Sequence, residues 1–310
     1  MYAFQKMPDP ATCVDLGAGF PNEKDLPLEK FRQAMSAGLS AADSSLLQYG
    51  EASGYESFRT SLSSFLSKNC GVGSDVSAEN LFVTTGITGG LSLFCSLFTS
   101  SGDLVFVEEP TYFLALSVFK DFKLRVVGIP MDGPNGVDTK ALEAAVETHG
   151  LPKFFYTVPT YHNPTGRTMS HEKRLEVARI SFEYGFLVAA DEVYQMLKFP
   201  SSQDPPKSMT AYDEGGFAGR DYETMGNIIS FGSFAKILGP GARLGWIQAP
   251  EHILRVLRES GQICSGGGMN PIVSRGVHSF IGQFMKASWS PAESRARSSC
   301  FASVPLLLAA

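Results

Sequence analysis

The sequence predicts an α/β fold: a mostly parallel central sheet flanked by helices. Three observations predict it. Short apolar runs alternate with helix-like stretches along most of the 310 residues. These runs are continuously apolar, as strands covered on both faces are, and do not alternate apolar with polar. Polar and charged residues then gather just after the runs, at the strand ends where open parallel sheets bind ligands.

The elements follow in order. "NLFVTT" (80–85) is a strand leading into "GITGGLSLFCSLF", whose glycine-rich start opens a helix. "DLVFVEEP" (103–110) precedes the helical "TYFLALSVFKDF", and "LRVVGIP" (124–130) precedes the amphipathic "DTKALEAAVETHG". "KFFYTVP" (153–159) runs into the turn "YHNPTG" and then a helix, with Ser170 as N-cap and Gly185 as C-terminal stop. "FLVAADEVY" (186–194), "NIISFGSF" (227–234) and "RLGWIQAP" (243–250) complete the strands. The segment 200–226, polar and rich in Pro and Gly, reads as a surface excursion and not as a domain boundary. Residues 12–285 are therefore expected to form one large domain with an N-terminal arm. Residues 286–310 are Ser/Ala/Arg-rich, show no period, and read as a disordered tail.

Composition bounds the partners. The net charge is −5 with no Lys/Arg run, which disfavours nucleic acid and anionic membranes. No apolar stretch approaches the roughly 20 residues of a spanning helix, and "LSLFCSLF" is too short. The N-terminal residues lack a signal-peptide core. Five scattered cysteines, 13, 70, 95, 264 and 300, form no C-x-x-C pair and read as reduced thiols in a cytoplasmic protein. The five histidines have no metal-ligand spacing.

The strand ends carry a distinctive set. Gly86, Ile87 and Thr88 open a helix, Tyr112 follows the second strand, and Asn163 sits in the turn after the fourth. Asp191 and Tyr194 end the fifth, and Ser233 and Lys236 end the sixth. Arg243 lies seven positions beyond Lys236, across a Gly-Pro-Gly turn. Charged side chains in such apolar surroundings need partners. If the strands are parallel neighbours, these groups converge on one rim and together suit an anionic aromatic molecule bearing a carbonyl.

Six motifs stand in a recognisable order: "YGEASGYESFR" (49–59), "TTGITGGL" (84–91), "EEPTY" (108–112), "HNPTG" (162–166), "ADEVY" (190–194) and "SFAKILGPGARLGW" (233–246). In order and spacing they resemble the pyridoxal-phosphate aminotransferases of fold type I, class I/II, most nearly the kynurenine and 2-aminoadipate aminotransferase branch. The resemblance runs to about residue 285. It implies pyridoxal 5'-phosphate as cofactor, an amino acid and a 2-oxo acid as substrates, a ping-pong exchange, and a homodimer.

The resemblance also assigns roles. Lys236 would hold the cofactor as a Schiff base and shuttle the α-proton, tasks that suit a lysine whose pKa falls on desolvation. Arg243 would clamp the phosphate bidentately, with Ser233 and the N–H groups of Ile87 and Thr88 beyond Gly86 completing the cradle. Asp191 would meet the protonated ring nitrogen. Tyr194 and Asn163 would bond the ring's phenolic oxygen, and Tyr112 would stack on its face. Tyr49 would reach the neighbouring subunit's phosphate, and Gly17 and Gly19 would line the substrate entrance. Members of the family are longer, and their C-terminal segment builds most of the small domain and supplies the arginine for the substrate α-carboxylate. An incomplete small domain is therefore expected, and neither Arg295 nor Arg297 is assigned that role.

Other readings were weighed. Ser233–Lys236 matches the Ser-x-x-Lys of serine β-lactamases, but the companion S-D-N and K-T-G motifs are missing and the serine follows a strand where it should open a helix. "GPGARLG" precedes a strand, the wrong order for a dinucleotide loop. A catalytically impaired, cofactor-binding relic, a lyase or decarboxylase on the same fold, and a cofactor-binding regulatory domain are the alternatives. For the last, no helix-turn-helix stretch precedes residue 12.

Overall fold

The computed structural model describes residues 21–40, 44–69, 76–197, 205–214 and 226–285. Gly17, Gly19, most of the 200–226 excursion and the expected tail at 286–310 lie outside the described residues.

Seven strands form one sheet: β1 (Leu81–Thr84), β2 (Leu104–Glu109), β3 (Arg125–Pro130), β4 (Phe154–Thr157), β5 (Leu187–Asp191), β6 (Ile228–Ser233) and β7 (Gly245–Gln248). Their order is β1-β7-β6-β5-β4-β2-β3. Neighbours from β3 through β6 pair parallel, and β7 runs antiparallel between β6 and β1. Each strand predicted from an apolar run is present, and the sheet is mostly parallel as expected.

Helices cover both faces. They are α1 (Leu28–Ser40), α2 (Glu56–Asn69), α3 (Ile87–Phe98), α4 (Phe113–Asp121), α5 (Thr139–His149), α6 (His171–Tyr184), α7 (Thr210–Glu214), α8 (Glu251–Arg258), α9 (Gly261–Gly266) and α10 (Pro271–Phe280). α6 starts and stops where its sequence dictates: Ser170 accepts a hydrogen bond from Lys173 N, and Gly185 ends it in the left-handed region at φ 79°. The short α7 falls within the segment read as an excursion.

Side-chain alternation splits each strand between two cores. Val105 and Val107 pack with Leu91 and Phe94 of α3 and Phe119 of α4, whereas Leu104 and Phe106 pack with Leu142 of α5 and Val177 of α6. Phe154 and Tyr156 join the first core and Phe155 the second. A third core forms where α2 and α10 meet β1 and the turn after β6. Because both faces of the central strands are covered, those strands are mainly apolar, with Ser230 of β6 a buried exception, and most polar side chains are left to the strand ends.

One register row holds the future site together. Thr84 of β1 pairs with Gly245 of β7, which pairs with Ser233 of β6. A Cβ on Gly245 would lie 2.6 Å from Gly232 O and 2.8 Å from Gly86 Cα, so only glycine lets the start of α3 approach the sheet this closely. Gly245→Ala should therefore cost about 1–3 kcal/mol, the price of overpacking against backbone that cannot turn aside. Gly241→Ala, which meets nothing within 4 Å, should stay within about 0.5 kcal/mol of the parent. Chemical denaturation of the two variants checks this, and equal effects would refute the role of Gly245.

Candidate active site

The site begins with strand alternation. Ala189 belongs to the α3/α4 core and Ala190 to the α5/α6 core, so Asp191 returns to the α3/α4 side and Glu192, the next residue, faces the other way. Asp191 is 4% exposed. Its Oδ2 accepts from the Tyr156 hydroxyl at 2.9 Å, and its Oδ1 accepts from Val193 N at 3.3 Å. Burial raises its pKa to about 6 against the opposing pull of Tyr156, Val193 N and Lys236.

Lys236 ends the tight turn Phe234–Lys236 that follows β6, the strand beside β5. Burial lowers its pKa, and Asp191 acts in the opposite sense. In both members of the pair desolvation outweighs mutual attraction, and each is pushed toward its neutral form. Three phenols surround the carboxylate. Burial, followed by the charge of Asp191, raises the pKa of Tyr112, raises that of Tyr194 to about 12, and raises that of Tyr156 well above 10.0. Asn163 hydrogen-bonds Tyr194, which brings together the two residues the sequence had paired.

A second cluster lies two register rows away from Asp191, at and beyond the row of Ser233 and Gly245. Gly86 is the N-cap of α3 at φ 87° and supplies no side-chain cap to the first-turn N–H groups. The guanidinium of Arg243 stands over it: a Cβ on Gly86 would meet Arg243 Nη2 at 3.4 Å. Arg243 Nη2 donates to Thr85 O at 3.4 Å, and its backbone is left-handed at φ 44°, a strained setting for an arginine. Asn270 Nδ2 holds the Arg243 carbonyl at 2.5 Å. Ser233 is buried, and its hydroxyl accepts from Ala235 N at 3.0 Å and lies 3.4 Å from Leu244 O. Ile87 is half-buried and Thr88 exposed at this helix start.

Tyr49 stands apart from both clusters. It is 81% exposed and lines a cavity of about 280 Å³ with Gln48, Tyr55, Pro271 and Arg275.

Several further residues support the site, and of these Arg174 carried no signal in the sequence. Glu192 Oε1 accepts from Met209 N at 2.8 Å and lies 3.8 Å from Arg174 Nη1, and its Oε2 accepts from Ser208 at 2.5 Å and from Ser230. Arg174 is wholly buried in α6 and donates to Met169 O, Lys207 O, Pro159 O and Thr160 Oγ1. Glu108 accepts from Val158 N at 2.9 Å and faces His162 Nε2 at 3.1 Å. His162 immediately precedes Asn163, and its Nδ1 lies 2.9 Å from Thr165 Oγ1 across the turn. Glu108 and Glu192 each carry a signal, as carboxylates directly after an apolar run, within "EEPTY" and "ADEVY".

The arrangement fits a phosphorylated aromatic aldehyde. An uncapped helix start under a guanidinium suits a phosphate. A buried carboxyl with a raised pKa suits a ring N–H, and a desolvated amine suits a carbonyl carbon. The fold and site thus define a mostly parallel α/β protein with a desolvated amine–carboxylate pair beside an anion cradle.

The family follows from comparison. Residues 11–296 match the model for aminotransferase class I and II, and the chain belongs to that family. It is 30% identical over 267 residues to aromatic-amino-acid aminotransferase 1 of Thermococcus litoralis, covering 84% of this chain and 60% of that protein. It is 28% identical over 249 residues to a 2-aminoadipate transaminase of Thermus thermophilus, covering 80% of this chain and 58% of that one. A kynurenine aminotransferase of Pyrococcus horikoshii, solved in complex with PMP, KYN and KYA, superposes with a TM-score of 0.71 at 27% identity, over 95% of this chain and 66% of that one. The chain spans about three fifths of the length of these two curated relatives.

Asp191 has a consequence for stability. Its pKa is about 6 in the fold against an ordinary 3.8. A carboxyl with a raised folded pKa imposes no penalty below pH 4, where both states are protonated. The penalty grows as pH rises from about 4 to 6 and is complete above 6. The shift corresponds to about 3 kcal/mol. Cofactor-free Asp191→Asn should therefore be more stable than the parent by about 1–3 kcal/mol at pH 7.5, with the advantage gone at pH 4. Denaturation at both values decides it, and an advantage independent of pH would contradict the burial of this charge.

Proposed function

We propose that the chain is a pyridoxal-phosphate-dependent aminotransferase that moves an amino group between an amino acid and a 2-oxo acid in two half-reactions. The observation that carries this reading is the meeting of Lys236, Asp191 and the Arg243–Gly86 cradle at adjoining strand ends. Family membership and the PMP-bound structural relative support it.

In this reading Arg243, Ser233 and the N–H groups of Ile87 and Thr88 take the phosphate. Asp191 holds a proton at the ring nitrogen, Asn163 and Tyr194 bond the phenolic oxygen, and Tyr112 covers the ring face. When bound, the cofactor supplies an electron sink conjugated to the substrate Cα. The chain's own contribution to the proton transfer is Lys236. Its Nζ, with a pKa lowered by desolvation, carries a larger neutral fraction at physiological pH than an exposed lysine would, so it can take the α-proton and return it. The high pKa of Tyr194 keeps its phenol a donor throughout the working range.

The reading carries a homodimer with it. Tyr49 and Leu47, 81% and 80% exposed on the segment before α2, offer apolar surface for a second subunit. It also carries a cytoplasmic location, in keeping with free Cys95 and Cys264. No helix among the described residues is long and apolar enough to cross a membrane.

A spectrum of the purified protein with pyridoxal phosphate tests this. A visible band should appear, shift when an amino acid is added and return with a 2-oxo acid. Borohydride should fix the cofactor covalently to Lys236. Lys236→Ala should lose the fixed label and slow the exchange roughly 10²–10⁴-fold. A cofactor band that no amino acid shifts would refute transamination.

A further inference from the structure

Tyr156 lies in the middle of an apolar strand, yet it carries a hydroxyl. It is 0% exposed, so its phenol must find an acceptor inside the protein. In the β4–β5 register Tyr156 pairs with Ala189, which sets it diagonally from Asp191 on the same sheet face. A tyrosine is long enough to span that diagonal, and the bond to Asp191 Oδ2 at 2.9 Å closes it. Phe119 packs edge-on against the ring, with centroids 5.5 Å apart, on its apolar flank and away from any polar contact. Asp191 Oδ1 takes only the longer 3.3 Å bond from Val193 N. The two carboxylate oxygens are therefore unequal, and Oδ1 keeps more acceptor strength.

We propose that Tyr156 is a positioning residue of the active site: its phenol fixes the plane of the Asp191 carboxylate and occupies Oδ2, so that Oδ1 receives the ring-nitrogen proton of the cofactor. The proposal rests on the aminotransferase reading above. The other charged and titratable groups near Asp191 are already placed. Lys236 approaches from the turn after β6, Tyr112 from the start of α4 and Tyr194 from the turn after β5. Glu192 is turned to the opposite face, and Glu108 is engaged by Val158 N and His162. The Tyr156 hydroxyl donates to Asp191 Oδ2 at 2.9 Å, and no other role in the site accounts for it.

The test uses Tyr156→Phe, which keeps the ring, and Phe119→Leu, which loosens the same ring and keeps the phenol. In the cofactor-free protein, carbon-13 NMR of the carboxyls, with the Asp191 signal assigned from Asp191→Asn, reads the titration directly. Loss of the donor should move the Asp191 midpoint up by about one pH unit in Tyr156→Phe, the scale of one neutral hydrogen bond, and leave it in place in Phe119→Leu. The pH below which pyridoxal phosphate affinity falls should rise by the same amount. Placing 3-fluorotyrosine at position 156, a stronger donor of nearly the same shape, should move both midpoints down. This provides a reading even if the phenylalanine variant folds poorly. Unmoved midpoints, or equal shifts in Tyr156→Phe and Phe119→Leu, would reduce Tyr156 to packing and overturn the inference. A parent protein that binds no cofactor would instead overturn the aminotransferase reading and, with it, the proton placement at Oδ1. The parent's own cofactor titration therefore tells the two failures apart.

Discussion

A carboxyl and an amine are held out of water at the ends of two neighbouring parallel strands, and the rest of the site is arranged around that constraint. Neither Asp191 nor Lys236 recovers by mutual attraction what it loses by desolvation, so both lean toward neutrality. Left alone, such a pair is a destabilising feature. It is tolerated because the surrounding sheet is rigid, with both faces packed and seven strands in register. Strain of this kind is typical of sites whose full complement of partners arrives with a ligand. The left-handed Arg243 backbone and the uncapped start of α3 belong to the same pattern.

The period of the β-strand explains how adjacent acids do different work. Asp191 and Glu192 are one residue apart, and that single step sends them to opposite faces. Asp191 meets three phenols and an amine. Glu192 meets two hydroxyls, a backbone N–H and the buried Arg174. The second set anchors the chain just past β5, so the first carboxylate has a firm base. Arg174 itself satisfies four acceptors, Pro159 O and Thr160 Oγ1 before Asn163, Met169 O just before α6 and Lys207 O beyond β5, and so ties the turn after β4 to the segment that follows β5.

Much of this was legible in the sequence, for physical reasons that can be named. Continuous apolar runs marked the strands because both sheet faces are buried, and Ser170 and Gly185 marked α6 because caps obey local rules. The residues of the rim could be gathered because parallel sheets collect chemistry at their carboxyl ends. What escaped was non-local. Nothing in "RLGWIQAP" says that β7 runs antiparallel and inserts between β6 and β1. Nothing local sets Tyr156 apart, because its partner is 35 positions away. His162 and Arg174 carry no local mark of burial, and the fold places both inside. Among the described residues, Tyr49 is the predicted site residue that stands outside the clusters, on exposed surface, where its assigned task needs a second subunit.

The central claim is that burial, and not ion pairing, dominates the Lys236–Asp191 pair. Its most direct test is the pKa of the Lys236 amine in the cofactor-free protein, read from competitive acylation of that lysine against the exposed lysines across pH 6–11. An amine that titrates clearly below 10.5, and lower still when Asp191 is changed to Asn, is the expected result. An amine at or above 10.5, falling back to the ordinary value in the Asn variant, would show a conventional salt bridge and contradict the claim.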